Sequence, residues 1–335
     1  MNSENQLVER TGRAIPSIRG RGGFGGVRLG IGDDAALVAP GRGREWVLTC
    51  DQFLEGVHFF GRIHPADSVG YKALARATSD IAAMGGRPRL FLLALAIPAS
   101  RTGVWFDGFL RGMGRAARAL GVRLAGGDMT KSAKVCINIT VLGEIEPGLA
   151  VTRAGARPGD HIYVSGRLGR AHLGLELVRR GLGRRAQLRD LVQPHLYPRI
   201  QLKLGEWLAA HRVPSAMMDI SDGLSTDLGR LCAASQVGAR VYEARIPTVA
   251  IPPFAAARLR GRNMKALQMA LHGGDDYGLL FTVAPRNARR LARAPEFRDL
   301  MPIGEITGGR RILLVAREGS SQPLRQRGWN PFRKS

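Results

Sequence analysis

Carboxylates recur through this chain in one local setting. Asp33-Asp34, Asp51, Asp80, Asp128, Asp219 with Asp222, and Asp275-Asp276 all lie close to Gly, Ser or Thr at the edge of an apolar segment. Adjacent acids repel unless a cation or hydrogen-bond donors compensate them. Mg2+ takes oxygen ligands, commonly one or two carboxylates with phosphates and waters completing the octahedron. Several Asp, few nearby Glu and no His cluster suit Mg2+ with a polyphosphate better than zinc. The three cysteines, Cys50, Cys136 and Cys232, form no CxxC pair and point to neither a zinc site nor a disulfide framework.

The sharpest local signal is Asp219-Ile-Ser221-Asp222-Gly223. It sets two carboxylates and a hydroxyl at a strand-to-helix turn, where free helix amides also favour phosphate. An acidic helix cap is the alternative, and it explains one Asp better than two. Asp80 stands four residues after Arg76 near the end of a predicted helix, so an i, i+4 ion pair is the plain reading. An acid there opposes the helix dipole, however, and asks for a further partner. No Gly-Lys pair occurs, GGDMTKS lacks the second glycine of a phosphate loop, and protein-kinase signatures are missing. Phosphoryl transfer would then depend on metal ions, glycine-rich backbone and Arg. The Gly/Arg segment Arg19–Gly26, with its GRGGFGG, has neither a preceding strand nor a following helix and reads as a loop that orders over a ligand.

The elements that must carry these residues follow from periodicity. After a short leading helix, a strand over 46–50 ends at Asp51 and an amphipathic helix spans 67–84. A buried strand over 89–97, a helix over 105–120, a segment 122–125 running into Gly126-Gly127-Asp128 and a strand over 134–141 complete an α/β domain at 1–148. A turn-rich link at 153–160 opens a second α/β domain, 149–335. Its expected elements are strands 161–165, 216–220, 240–244 and 279–283 and helices 168–181 and 199–211. A Pro-rich stretch lies around Pro194–Pro198, and a helix after Gly223 takes Ser225 as its N-cap.

The net charge is +23, from 50 basic residues of which six are Lys. Such a field suits phosphorylated ligands or nucleic acid, or reflects an Arg-for-Lys bias with solvated charges. The basic tail (Arg310, Arg311, Arg317, Arg325, Arg327, Arg333) has only Trp329 and Phe332 as aromatics, too few for a base-stacking platform. A nucleic-acid-binding protein is therefore the remote alternative. The polar start MNSENQLVER has no signal-peptide core and the apolar run Leu90–Ile97 is too short to span a bilayer, so a cytoplasmic protein without a membrane partner is expected.

The ordered set GIGDDAALV (30–38), Asp51 with His58-Phe59, SDIAAMGG (79–86), GGD (126–128), TRAGARPGD (152–160), DISDGLSTDL (219–228) and GGDDYGLLF (273–281) resembles the thiamine-monophosphate kinase family. That family belongs to the aminoimidazole ribonucleotide synthetase-like superfamily. The resemblance covers almost the whole chain. It implies a two-domain α/β (α+β) fold, with N-terminal strands pairing into a barrel shared by a homodimer and ligands bound between the domains. It also implies Mg2+-dependent transfer of the ATP γ-phosphoryl group to thiamine monophosphate. A relative acting on another small-molecule acceptor is the alternative.

Carried over by position, Asp34, Thr49, Asp51, Asp80, Asp128, Asp219 and Asp222 are the implied Mg2+ ligands, with Cys50 in the same run. Gly127, Asp128, Arg153 and Ser221 would meet ATP; His58, Asp275 and Trp329 would meet thiamine monophosphate, Trp329 by stacking on a cationic ring. The remaining histidines, His64, His161, His172, His195, His211 and His272, read as surface or packing residues. Four places depart from the family pattern. Cys50 replaces a hydroxyl residue, and a thiol is a poor Mg2+ ligand, though its carbonyl could serve. Val57 replaces Asn, Met129 replaces Thr, and GGDDYGL has Asp275 for Glu and Gly278 where a second acid is common.

Overall fold

The computed structural model describes residues 27–29, 33–38, 43–183, 185–259, 265–297 and 299–332. The expected leading helix, the Arg19–Gly26 loop, Gly30, Gly32 and Arg333 lie outside the described residues. The chain divides into one compact unit running to Ala150 and taking in the C-terminal end from Asn330, and a second, Val151–Trp329.

The first unit contains β1 (Val27–Leu29), β2 (Ala36–Val38), β3 (Glu45–Leu54), α1 (Ala66–Ala83), β4 (Arg87–Ile97), α2 (Val104–Leu120), β5 (Arg123–Lys131) and β6 (Cys136–Ile145). They build a six-stranded sheet, β1-β2-β3-β6-β4-β5. Only β4 and β5 pair in parallel, joined by α2 as a crossover helix. The inward sides of β3 and β6 (Val47, Phe53, Ile137, Ile139, Val141) are fully buried apolar residues, as α1 requires of the face it packs on. The two helices approach until backbone meets backbone. A Cβ on Gly70 would overlap the Phe109 carbonyl, and one on Gly112 would overlap that of Asp67. Glycine is required at both.

Three sequence expectations change in this unit. The first strand does not stop at Asp51, because Cys50–Leu54 continue to pair with Thr140–Cys136 of β6. Gly126-Gly127-Asp128 does not follow a segment that ends at Ala125 but is the middle of β5, where Gly127 lets β5 lie against the Leu93 carbonyl. Nor is β4 buried on both faces: Leu90 and Leu92 point outward, and β5 is exposed along its length.

The second unit contains β7 (His161–Val164), α3 (Arg170–Arg179), α4 (Arg189–Leu196), α5 (Leu202–Ala210), β8 (Pro214–Asp219), α6 (Leu224–Ser235), β9 (Gly238–Tyr242), α7 (Pro253–Arg258), α8 (Ala266–His272), β10 (Leu279–Val283), α9 (Pro285–Ala292), β11 (Pro302–Thr307), β12 (Ile312–Val315) and β13 (Ser321–Pro323). Its seven-stranded sheet, β13-β12-β9-β11-β7-β10-β8, is antiparallel except for β12 on β9. Ile162, Met218, Leu224, Leu228, Leu280 and Ile306 belong to one core that locks α6 onto the sheet. The stretch read as Pro-rich is largely helical: α4 accommodates Pro194 because buried Val192, His195 and Leu196 anchor it. Among the described residues no helix is long and apolar enough to cross a membrane.

Candidate active site

In the first unit three of the expected ligands, Thr49, Asp51 and Asp80, lie where α1 crosses β3. Four helical residues rise about 6 Å, nearly the length of two strand residues. Arg76 and Asp80, one turn apart on α1, therefore meet Asp51 and Thr49, two apart on β3. Arg76 Nε lies 2.6 Å from Asp51 Oδ2. Thr49 Oγ1 donates to Asp80 Oδ2 at 2.5 Å. Beside their i, i+4 spacing, Arg76 and Asp80 thus each have a cross-element partner, and Thr49 is the further partner that Asp80 asked for.

The Cys50 thiol is on the other face of β3. It donates to Asn138 Oδ1 at 3.2 Å and accepts from Thr140 Oγ1 at 3.6 Å, both on β6. Strand alternation separates it from Thr49 and Asp51, leaving the main chain as what Cys50 can offer beside them. Asp34 precedes β2, and its N–H donates to Asp33 Oδ1. Asp128 is exposed on β5 beside Gly127. His58 follows β3 and stacks on Phe53; its Nδ1 accepts the Leu54 N–H at 3.0 Å, so a neutral ring carries its proton on Nε2.

In the second unit the turn from β8 into α6 carries Asp219, Ser221 and Asp222. Asp219 is buried at the end of β8, opposite Leu279. Gly223, at φ 108°, caps the helix, while Ser225 lies inside it, buried, with its hydroxyl 2.9 Å from His272 Nδ1. The capping function expected of Ser225 falls to Asp227 instead. Its Oδ2 accepts the N–H groups of Asp222 and Gly223, each at 3.0 Å. Arg230 then bridges the two acids, Nη2 to Asp222 Oδ2 at 2.6 Å and Nη1 to Asp227 Oδ1 at 3.0 Å. Burial, then the nearby Asp222 charge, holds the Asp227 carboxyl well above the usual range. The i, i+3 spacing of Asp227 and Arg230 was the available sequence signal for this bridge.

The loop before β10 docks on that turn. Asp275 N–H donates to Ser221 O at 2.8 Å and Tyr277 N–H to Ile220 O at 2.9 Å. Trp329 N–H donates to Asp222 O at 2.9 Å, so the half-exposed indole is tied to the same turn. The Arg153 carbonyl accepts from Ser235 Oγ at the end of α6. Asp276 turns away to accept the N–H groups of Gly169 and Ala171 at the start of α3, and burial pushes its carboxyl up to about 6.

Two consecutive family models, those of the N-terminal and C-terminal domains of AIR synthase related proteins, match residues 32–145 and 157–316. The thiamine-monophosphate kinase of Escherichia coli K12 is 35% identical over 312 residues, covering 91% of this chain and 92% of the relative. That of Bacillus subtilis is 30% identical over 314 residues, covering 92% and 94%. The chain belongs to the thiamine-monophosphate kinase family. A solved structure described as AaThiL complexed with AMPPCP and TMP superposes with a TM-score of 0.84 at 30% identity, over 98% of this chain and 97% of that one. Measured against the family pattern, Val57 and Met129 are exposed residues next to His58 and Asp128. Gly278 has a steric reason: a Cβ there would come within 2.8 Å of the Ser165 carbonyl, so a longer residue needs the backbone to shift.

Proposed function

We infer that this chain transfers the γ-phosphoryl group of ATP to thiamine monophosphate, giving thiamine diphosphate and ADP. The full-length likeness to a structure holding an ATP analogue together with TMP carries this reading. Donor and acceptor are both anionic. The chemistry therefore asks for cations to hold their oxygens together and asks little of a base, since a phosphate monoester is already ionised near neutral pH.

The donor set suits Mg2+: it consists of carboxylates and the Thr49 hydroxyl, with the only thiol in the run, Cys50, turned to the other face. Asp34, Thr49, Asp51, Asp80 and Asp128 in the first unit, and Asp219 and Asp222 in the second, are the proposed ligands, with Cys50 contributing through its main chain. Bound Mg2+ would neutralise phosphate oxygens and order them for in-line transfer. Arg76 and Arg230 hold the carboxylates of Asp51 and Asp222 in fixed orientations, and Asp227 fixes the main chain of the Asp222 turn. Gly127, Asp128, Arg153 and Ser221 are proposed to meet ATP, and His58, Asp275 and Trp329 to meet thiamine monophosphate. The outward apolar side of β4, with Leu90 and Leu92, supports a homodimer built on this sheet. Free thiols at Cys50, Cys136 and Cys232 suit a reducing cytoplasm.

Product analysis after mixing the protein with ATP and thiamine monophosphate tests the reading. Equal amounts of thiamine diphosphate and ADP, formed only with Mg2+, are expected. ATP binding without thiamine diphosphate would move the search to another acceptor.

A further inference from the structure

Residues 273–278 join α8 to β10 and hold two non-glycine residues at positive φ, Asp275 at 70° and Tyr277 at 48°. Left-handed backbone is tolerated by Asp and strained at an aromatic residue, and such strain persists where surrounding structure enforces it. Here the main-chain bonds to Ser221 and Ile220 enforce it. The consequence is that two consecutive carboxylates part. Asp276 turns inward to cap α3, and Asp275 keeps its side chain about one-third exposed. Two buried rings then meet the Asp275 carboxylate from different sides. Tyr277 Oη donates to Oδ1 at 2.8 Å, and His195 Nδ1, on α4 and 1% exposed, lies 3.7 Å from Oδ2. A histidine expected only to pack thus packs against a proposed substrate residue.

We propose that Tyr277 and His195 are positioning residues that aim the Asp275 carboxylate at the acceptor. The target would be the amino-bearing or cationic ring portion, because a carboxylate repels the phosphate end and attracts N–H donors and positive charge. Aspartate is one methylene shorter than glutamate and reaches less far, so fixing its orientation matters more here. The proposal rests on the assignment of Asp275 to thiamine monophosphate.

The test is a steady-state comparison, on the full chain, of KM for thiamine monophosphate with KM for ATP and with kcat. Tyr277→Phe, which removes a hydrogen bond, is expected to raise KM for thiamine monophosphate about five- to ten-fold, and His195→Leu, which removes a polar neighbour at 3.7 Å, about three-fold. KM for ATP and kcat should stay within about twofold, and His195→Asn should recover most of the loss by restoring an N–H near the Nδ1 position. Unchanged KM for the acceptor, or equal losses for both substrates, would overturn the proposal. Asp275→Asn separates the two layers. If it leaves the acceptor KM unchanged, the assignment of Asp275 itself fails; if it raises KM while Tyr277→Phe and His195→Leu do not, only the positioning role fails. Should His195→Leu not fold, the Asp275→Asn/Tyr277→Phe double variant decides. A double variant no worse than Asp275→Asn supports coupling, and additive penalties refute it. Absence of any turnover of thiamine monophosphate would overturn both layers.

Discussion

Arg76 forks the carboxylate of Asp51, with Nε 2.6 Å from Oδ2 and Nη2 3.0 Å from Oδ1, while its guanidinium lies 5.3 Å from the centre of the Phe53 ring. This holds a proposed Mg2+ ligand by a partner that does not depend on the metal. Asp51→Asn keeps a side chain of the same shape and one acceptor for Arg76, so folding should suffer by only about 1–2 kcal/mol. Turnover should fall at least about 100-fold through loss of a charged ligand. Urea unfolding and the product assay check the two halves; near-wild-type turnover would remove Asp51 from the metal site.

Asp227 is fully buried and receives two backbone N–H bonds and the Arg230 guanidinium. Asp227→Ala strips the acceptor from three donors at once, those of Asp222 and Arg230 half-buried and that of Gly223 buried, and should cost about 2–4 kcal/mol, read as a lowered urea midpoint. Asp227→Asn, which keeps one oxygen, should cost clearly less. Equal losses would mean that volume, and not hydrogen bonding, is what the site needs.

Much of this was legible in the sequence because periodicity reports burial and the Asp-Gly clusters report turns. Leu279–Val283 is apolar but for Thr282, and β10 has those bounds. The misreadings share a cause: partners far apart in the chain decided them. Asp51 and Gly127 look like strand ends, yet β6 and β4 pair with the residues on either side. Ser225 looks like a cap, but Asp227 reaches back to do that work and leaves the hydroxyl to His272. Tyr277 and His195 gave no local signal, since 82 residues separate the histidine from its tyrosine neighbour and only the fold brings both to Asp275.

Asp276 predicts a pH dependence with a definite sign. Its carboxyl, raised by burial from the usual 3.8 to about 6, binds a proton more tightly in the fold than in the unfolded chain. The stability it contributes is therefore fully present below about pH 4 and is lost as pH rises through 6. A gap of about two pH units between the folded and unfolded titrations is worth roughly 3 kcal/mol. Asp276→Asn lacks this titration, so wild type should gain on the variant by that order between pH 7 and pH 4. Denaturant unfolding of both proteins across that range checks it. A difference independent of pH would show that Asp276 ionises normally.

The outward face of the first sheet carries the last prediction. Leu90 and Leu92 are 37% and 39% exposed on the outward side of β4, the side away from the helices. A strand face of this apolar character left in water is costly, and among the described residues β5 is also an edge of this sheet. A second copy of the same sheet would cover both liabilities by a self-complementary contact. Wild type should therefore run in light scattering at twice the chain mass of 36.2 kDa. Leu90→Lys with Leu92→Lys places two charges on that face without touching the α1 side of the sheet, so the double variant should stay folded by circular dichroism and run at the mass of a single chain. If wild type itself is monomeric at micromolar concentration, the dimer proposal fails and the face needs another occupant.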